Sequence, residues 1–217
     1  MKKETKKNFG IAAILLGAFV VWTVAVRLVD VQPIGPQGSA VGFATVNSWV
    51  HNLTGVHMSL YTVTDWLGLV PIAFAIGFAL LGLIQWIKRK HLSQVDFSIL
   101  VLGGFYLLVM AAYVLFEVFV INYRPVLING YLEASYPSST TMLVLCVMPT
   151  TLMQLNARIK SQTLKRWVGF GITAFILFMV IGRLLSGVHW FTDIIGGALL
   201  SAGLVMLYYS ITSLEIK

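Results

Sequence analysis

Cysteine is almost missing from this chain. The one present, Cys146, rules out an intramolecular disulfide and any cysteine-based metal site. Charge is scarce too. Only 11% of residues are charged, against roughly a quarter in soluble domains, so an ordinary soluble domain is excluded. Acidic residues number 8 against 15 Lys and Arg, and no aspartate-rich metal motif occurs. Nor is there an internal repeat or a low-complexity tract, which excludes solenoids and arrays. The net charge of +7 forms no large basic face, so nucleic acid is excluded as a partner. The basic residues lie in short segments between apolar runs. There they act as topology signals and as contacts for anionic lipid head groups.

Apolar residues fill what charge leaves empty. They make up 58% of the 217 residues, and the mean hydropathy is +0.87. A bilayer core needs about 20 apolar residues per helix. Six runs qualify: Phe9–Val29, Asp65–Ile87, Phe97–Ile121, Thr140–Leu155, Trp167–Leu184 and Thr192–Ile211. The fourth is short as bare apolar sequence. The expected fold is an all-α integral membrane protein, a six-transmembrane-helix bundle in a single domain over 1–217, with a short basic tail at 1–8. The first run is too long for a signal-peptide core and is read as a retained helix. Lys2, Lys3, Lys6, Lys7, Lys88, Arg89, Lys90, Arg158, Lys160, Lys165, Arg166 and Lys217 all fall on one side if the six spans alternate. That side is expected to be cytoplasmic, with both termini in it. A chain with so little outside the bundle suits a bacterial plasma membrane. The long connection Val31–Thr62 contains "VNSWVHNL", which reads as a short interfacial helix.

Three pieces of sequence then meet at one depth on the outer side: "NYRPV" (Asn122–Val126), "YPSSTTM" (Tyr136–Met142) and "GRLLSGVHWFTD" (Gly182–Asp193). Arg124 and Arg183 run against the positive-inside trend. They read equally as anion ligands or as interfacial anchors. His189 and Asp193 are spaced i, i+4. If the last helix starts near Val188 they share a face, and the carboxylate can fix the imidazole tautomer. A purely structural His–Asp pair fits the same spacing. Ser138 or Ser139 is a good N-cap. With Thr140 and Thr141 it also makes the hydroxyl-lined helix start of a phosphate cradle. Phosphoryl transfer from a lipid is the reaction class that uses all of these parts, with arginines in place of a metal. No cofactor is implied.

These residues resemble the type 2 phosphatidic acid phosphatase family, six-helix lipid phosphatases with the pattern Lys-x6-Arg-Pro, Pro-Ser-Gly-His and Ser-Arg-x5-His-x3-Asp. Arg124-Pro125, Pro137-Ser138, and Arg183, His189 and Asp193 match. The lead-in "LTGVHMSLYTVTDWLGLV" is also similar to the family's stretch before its second helix. The resemblance implies that His189 is a nucleophile forming a phosphohistidine and that Asp193 orients it. Arg124, Arg183, Ser138 and the backbone around Ser139 would hold the phosphate. Three positions depart from the pattern. Glu117 stands for the lysine, Ser139-Thr140 for Gly-His, and Gly182 for the serine. Glu117 is expected to pair with an arginine inside the bundle or to be protonated. Thr140 removes the family's general acid, a loss worth roughly 10²–10⁴ in rate. A phosphate leaving from a diphosphate needs that proton far less than an alkoxide does, so of the two substrate classes, prenyl diphosphate and phospholipid phosphate, a lipid diphosphate such as a polyprenyl diphosphate is expected to be favoured. His51 or His57 could stand in as the acid. The alternative is a weak or inactive relative that binds or translocates a phosphorylated lipid.

Overall fold

The computed structural model describes residues 3–214 and, for Lys3, the backbone only. Lys2 and Lys217, two of the topology signals, lie outside the described residues. Eight α-helices are present among the described residues: α1 (Lys3–Leu28), α2 (Ala44–Thr54), α3 (Met58–Leu67), α4 (Leu69–Arg89), α5 (Phe97–Val118), α6 (Ser139–Arg158), α7 (Gln162–Leu185) and α8 (Phe191–Thr212). Six stretches are long and apolar enough to cross a membrane, α3 and α4 counting together as Met58–Arg89. Each of the six expected spans finds its helix. The apparently short fourth run becomes a helix of 20 residues, because its polar Ser, Thr and Gln positions are helical too.

α8 is the hub. It packs on α1, α2, α5, α6 and α7. Trp22 of α1 donates its Nε1–H to Thr192 O (3.2 Å). At the far end, a Cβ on Gly203 would lie 2.7 Å from Leu16. The two helices are therefore antiparallel, and the start of α1 shares an end with the finish of α8. The larger apolar core joins α1, α4, α5, α6 and α8. A smaller one lies among α4, α6 and α7. Large apolar side chains on the outer faces of α1, α4, α5 and α7 are exposed, Val21, Leu107 and Phe170 among them. Such a perimeter is stable against hydrocarbon and not against water.

The end away from the termini carries the irregular backbone. The expected interfacial helix is α2. Residues 122–135 form a small hairpin held by bridge pairs Tyr123–Ala134 and Ile128–Tyr131. Its tip is Asn129-Gly130, with φ of 51° and 83°. Two successive positive φ values make the primed turn that Asn-Gly favours. Tryptophans collect at membrane interfaces, and four of the six stand exposed as a belt would have them. Trp49, Trp66, Trp86 and Trp167 are exposed, but Trp190 is buried, with Nε1–H donated to Tyr123 O (2.8 Å). At the terminal end, Asp96 accepts from Arg89 Nη1 (2.9 Å) and Gln85 Nε2 (2.8 Å) and lies 3.7 Å from Arg158. This ties α4 and α6 to the start of α5.

Candidate active site

α3, the hairpin, the start of α6 and the α7–α8 turn converge on one buried cluster. Its centre is His189, 3% exposed. It does not lie on the helix face that its spacing with Asp193 suggests. α8 starts at Phe191 with Trp190 as N-cap, so His189 precedes the helix. Its Nδ1 lies 3.2 Å from Ser135 O and 3.7 Å from Asp193 Oδ2. A carbonyl can only accept, so Nδ1 carries the proton. Nε2 lies 3.1 Å from Arg124 Nη1 and 3.3 Å from Arg183 Nη2. Guanidinium can only donate. Nε2 is therefore the unprotonated nitrogen. Burial first, then the charges of Arg124 and Arg183, hold the imidazole pKa well below its ordinary value.

Asp193 is not hydrogen-bonded to the imidazole, its Oδ2 lying 3.7 Å from His189 Nδ1. Its Oδ2 accepts the Trp190 N–H (2.9 Å), and its Oδ1 lies 3.4 Å from Asn122 Nδ2. It caps α8 and ties that helix to the hairpin.

Arg183 is 1% exposed and Arg124 8%, so neither is a snorkelling interfacial anchor. Both guanidiniums face the ring of Tyr61, at 4.9 and 6.0 Å from its centroid. Arg183 also donates to Thr64 Oγ1 (3.4 Å) and lies 3.8 Å from Asp65. Arg124 lies 3.0 Å from Glu133, although its Nε–H is not aimed at that carboxylate and makes no hydrogen bond. The Nε of Arg183 is likewise buried without a hydrogen-bond partner among the described residues. Buried unpaired donors are costly, and an anion would supply the acceptors.

Ser138 is the N-cap of α6, its Oγ accepting from Thr141 N (3.4 Å). Its own N–H donates to Asp193 O (3.0 Å), which joins the start of α6 to α8. The first N–H groups of α6 have no partner within the helix. Ser139 and Thr140 follow, half-buried, and both line an apolar cavity between α4, α5 and α6. Ser138 and the helix start thus lie beside the imidazole cluster, whereas Thr140 opens toward the apolar side.

Glu117 corrects the expectation of an arginine partner. It is exposed, no ion pair joins it to an arginine among the described residues, and it borders a small cavity with Tyr113, Ser135 and Ser139. The acid on Arg124 is Glu133. His57 points Nε2 at Thr54 O (2.9 Å). His51 packs against Trp190, ring centroids 5.5 Å apart, and burial lowers its pKa. Neither histidine is hydrogen-bonded to the cluster. No group of three His, Cys, Asp or Glu side chains suited to a metal exists among the described residues. Tyr61, Thr64, Asp65, Glu133, Ser135 and Asn122 are participants that the motif pattern does not reveal. The i, i+3, i+4 spacing of Tyr61, Thr64 and Asp65 on one face of α3 was the available signal. For Glu133 it was the Asn129-Gly130 turn, which folds that residue back onto Arg124.

A solved structure shares this fold. The crystal structure of the first transmembrane PAP2 type phosphatidylglycerolphosphate phosphatase from Bacillus subtilis superposes with a TM-score of 0.57 at 19% identity, covering 94% of this chain and 96% of that one. No curated protein matches the chain. The family model described as PAP2 superfamily matches residues 70–217, a region that holds Arg124, Ser138, Arg183, His189 and Asp193 but not the lead-in before residue 70. On that match, over more than half its length, the chain belongs to the PAP2 superfamily.

Proposed function

We propose that the protein is a membrane lipid phosphatase that works through a phosphohistidine at His189 and acts best on a lipid diphosphate. One observation carries the reading: two buried guanidiniums converge on the unprotonated Nε2 of a buried imidazole. A terminal phosphoryl group seated between Arg124 and Arg183 would meet that lone pair directly. Nε2 forms the bond to phosphorus, and the bond from phosphorus to the leaving oxygen breaks with its electron pair. The leaving group is the lipid monophosphate. Water then attacks the phosphohistidine, orthophosphate departs, and Nε2 recovers its lone pair. The arginines, the hydroxyl of Ser138 and the open N–H groups at Ser139 and Thr140 neutralise and hold the transferring group. Asp193 favours the positive charge that the phosphorylated ring carries. The lysine-poor end bearing the site is assigned to the outer face of a bacterial plasma membrane.

The diphosphate preference rests on Thr140. A threonine hydroxyl is too weak an acid to protonate a departing alkoxide, whereas a phosphate leaves as a stable anion. In detergent, purified protein is expected to release phosphate from a polyprenyl diphosphate about 10²-fold faster, or more, than from phosphatidic acid. Equal or faster turnover of phosphatidic acid would overturn the preference. For the mechanism, the protein is incubated with a ³²P-labelled lipid diphosphate and quenched in alkali. An acid-labile phosphoprotein is expected in the wild type and not in His189→Ala. Bound lipid with neither turnover nor phosphoprotein would instead mark a non-catalytic lipid-phosphate binder.

A further inference from the structure

We propose that Tyr61 is a positioning residue of the phosphate site: its ring holds the guanidiniums of Arg124 and Arg183 side by side, so that the pair is assembled in advance of phosphate. The proposal rests on the phosphatase reading for what the arginines bind, and on the surroundings of the two arginines for the role of the ring.

The arginines pose an electrostatic problem. Both reach Nε2 of His189, at 3.1 and 3.3 Å, so the two cations are neighbours. Both are buried, and buried like charges are little screened. One imidazole lone pair cannot satisfy two donors at once. Each arginine has one carboxylate near it, Glu133 at 3.0 Å from Arg124 and Asp65 at 3.8 Å from Arg183. Those acids stand at the rim, their side chains 42% and 59% exposed, where an ion pair is weak.

Tyr61 faces both. Its ring centroid lies 4.9 Å from Cζ of Arg183 and 6.0 Å from Cζ of Arg124, within the reach of a cation–π contact. The negative face of the ring offsets part of the repulsion between the cations. It does so without taking up their N–H groups. A carboxylate in its place would compete with phosphate for those donors. The ring leaves them free, and the Nε–H of each arginine has no hydrogen-bond partner among the described residues. In the proposed reaction Nε2 gives its lone pair to phosphorus. The ring is a partner common to both arginines that this step leaves unchanged.

The ring also sits on a fixed support. At the start of α3, His57 N donates to Ser186 O (2.9 Å), which fastens the helix to the α7–α8 turn. One turn beyond Tyr61, the buried Thr64 accepts from Arg183 Nη1 (3.4 Å) and donates its own proton to Leu60 O (2.9 Å). α3 therefore meets Arg183 at two positions on one helix face. No position of the Arg-Pro, Pro-Ser and Arg–His–Asp motifs corresponds to Tyr61, which precedes all of them in the chain.

The test reads binding and turnover on the full protein in detergent. Tyr61→Leu removes the ring face. Its affinity for inorganic phosphate, measured at equilibrium, is expected to fall about ten-fold, with kcat/KM on a polyprenyl diphosphate falling at least as far. Tyr61→Phe keeps the face and is expected to recover most of both losses. Leucine also changes the packing, so the deciding series keeps the shape and alters only the charge of the ring. Phenylalanines of rising fluorine content are placed at position 61. Fluorine withdraws charge from the ring face and hardly changes its size, and phosphate affinity is expected to fall stepwise along the series. A flat series in a protein that binds phosphate overturns the role of Tyr61 and leaves the phosphate site standing. Tyr61→Leu that binds phosphate as tightly as the wild type overturns it too. A wild type that neither binds phosphate nor turns over a diphosphate refutes the site itself, and the role of Tyr61 with it.

Discussion

His189 shows how little of a residue's chemistry belongs to the residue alone. An exposed imidazole has a pKa of about 6.5. Here burial and two arginines lower it, so the neutral form, the one the proposed mechanism needs, persists into acid. The acidic limb of kcat/KM is accordingly expected below pH 6.5, in a pH–rate profile on a diphosphate substrate. A limb at or above 6.5 would mean the imidazole is not held neutral as described. Stability follows the same sign. The unfolded chain binds a proton on this histidine that the folded one refuses, so its contribution is fully present above about pH 6.5 and is lost as pH falls toward the depressed folded value. Gly182 gives a second residue-level prediction. A Cβ there would lie 2.8 Å from Thr64 Cγ2 and 3.6 Å from Leu60. The family's serine at this position would push on a stiff β-branched side chain, and Thr64 is a hydrogen-bond partner of Arg183. Gly182→Ser is expected to cost about 1–3 kcal/mol by overpacking and to raise KM by displacing Arg183. Thermal melting in detergent and kinetics on the diphosphate check the two parts. The spacing of Arg183, His189 and Asp193 was legible in sequence because all three lie within eleven residues of one turn. The acceptor on Nδ1 was not, because Ser135 O arrives from a segment 54 residues away, and no local pattern encodes which of two acceptors wins.

At the scale of elements, the six spans were legible because the bilayer imposes length and apolarity on each separately. The positions of α3 and the 122–135 hairpin depend on their contacts with other segments. α3 was read as a lead-in to a span, yet its Tyr61, Thr64 and Asp65 hold the two arginines. The hairpin carries Arg124 and Ser135 in register, Arg124 N donating to Glu133 O (3.0 Å) and Ser135 N to Asn122 O (2.9 Å). The α7–α8 turn is the third positioning element. Gly187 has a φ of 68°, and a Cβ on it would lie 1.9 Å from Gly55 O. His57 N donates to Ser186 O at the same place (2.9 Å). The turn is thus pressed against the α2–α3 loop, two residues before His189. Gly187→Ala meets both a positive φ, worth roughly 1–2 kcal/mol, and a backbone clash. The expected outcome is a lower melting temperature and a kcat reduced by about 10² or more, since displacing a reacting group by 1 Å costs on that order. Gly130→Ala, at the hairpin tip, has nothing within 4 Å of the added Cβ and a φ of 83°. It is expected to show the strain alone, with a smaller loss. Similar kinetics for the two variants would remove the α7–α8 turn from its positioning role.

Over the whole molecule, charge and depth sort the two ends. The end holding the termini carries Lys6, Lys7, Lys88, Arg89, Lys90, Arg158, Lys160, Lys165 and Arg166. The site end has Arg27, Arg124 and Arg183. The last two are buried around His189, which leaves Arg27, hydrogen-bonded to Val120 O (3.0 Å), as the exposed cation of the three. The asymmetry is therefore steeper than the bare sequence suggests, and the positive-inside trend supports the proposal that the site end faces outside. That orientation decides which leaflet supplies the head group. Single cysteines give a direct test. Cys146 is fully buried and is expected to be silent toward a membrane-impermeant maleimide. Tyr131 projects from the hairpin tip, 74% exposed, and Lys160 lies exposed between α6 and α7. In intact cells, Tyr131→Cys is expected to be labelled and Lys160→Cys only after permeabilisation. The reverse pattern would turn the bundle over. The proposed phosphate site would then face the cytoplasm, and the substrate would have to be a lipid presented in the inner leaflet.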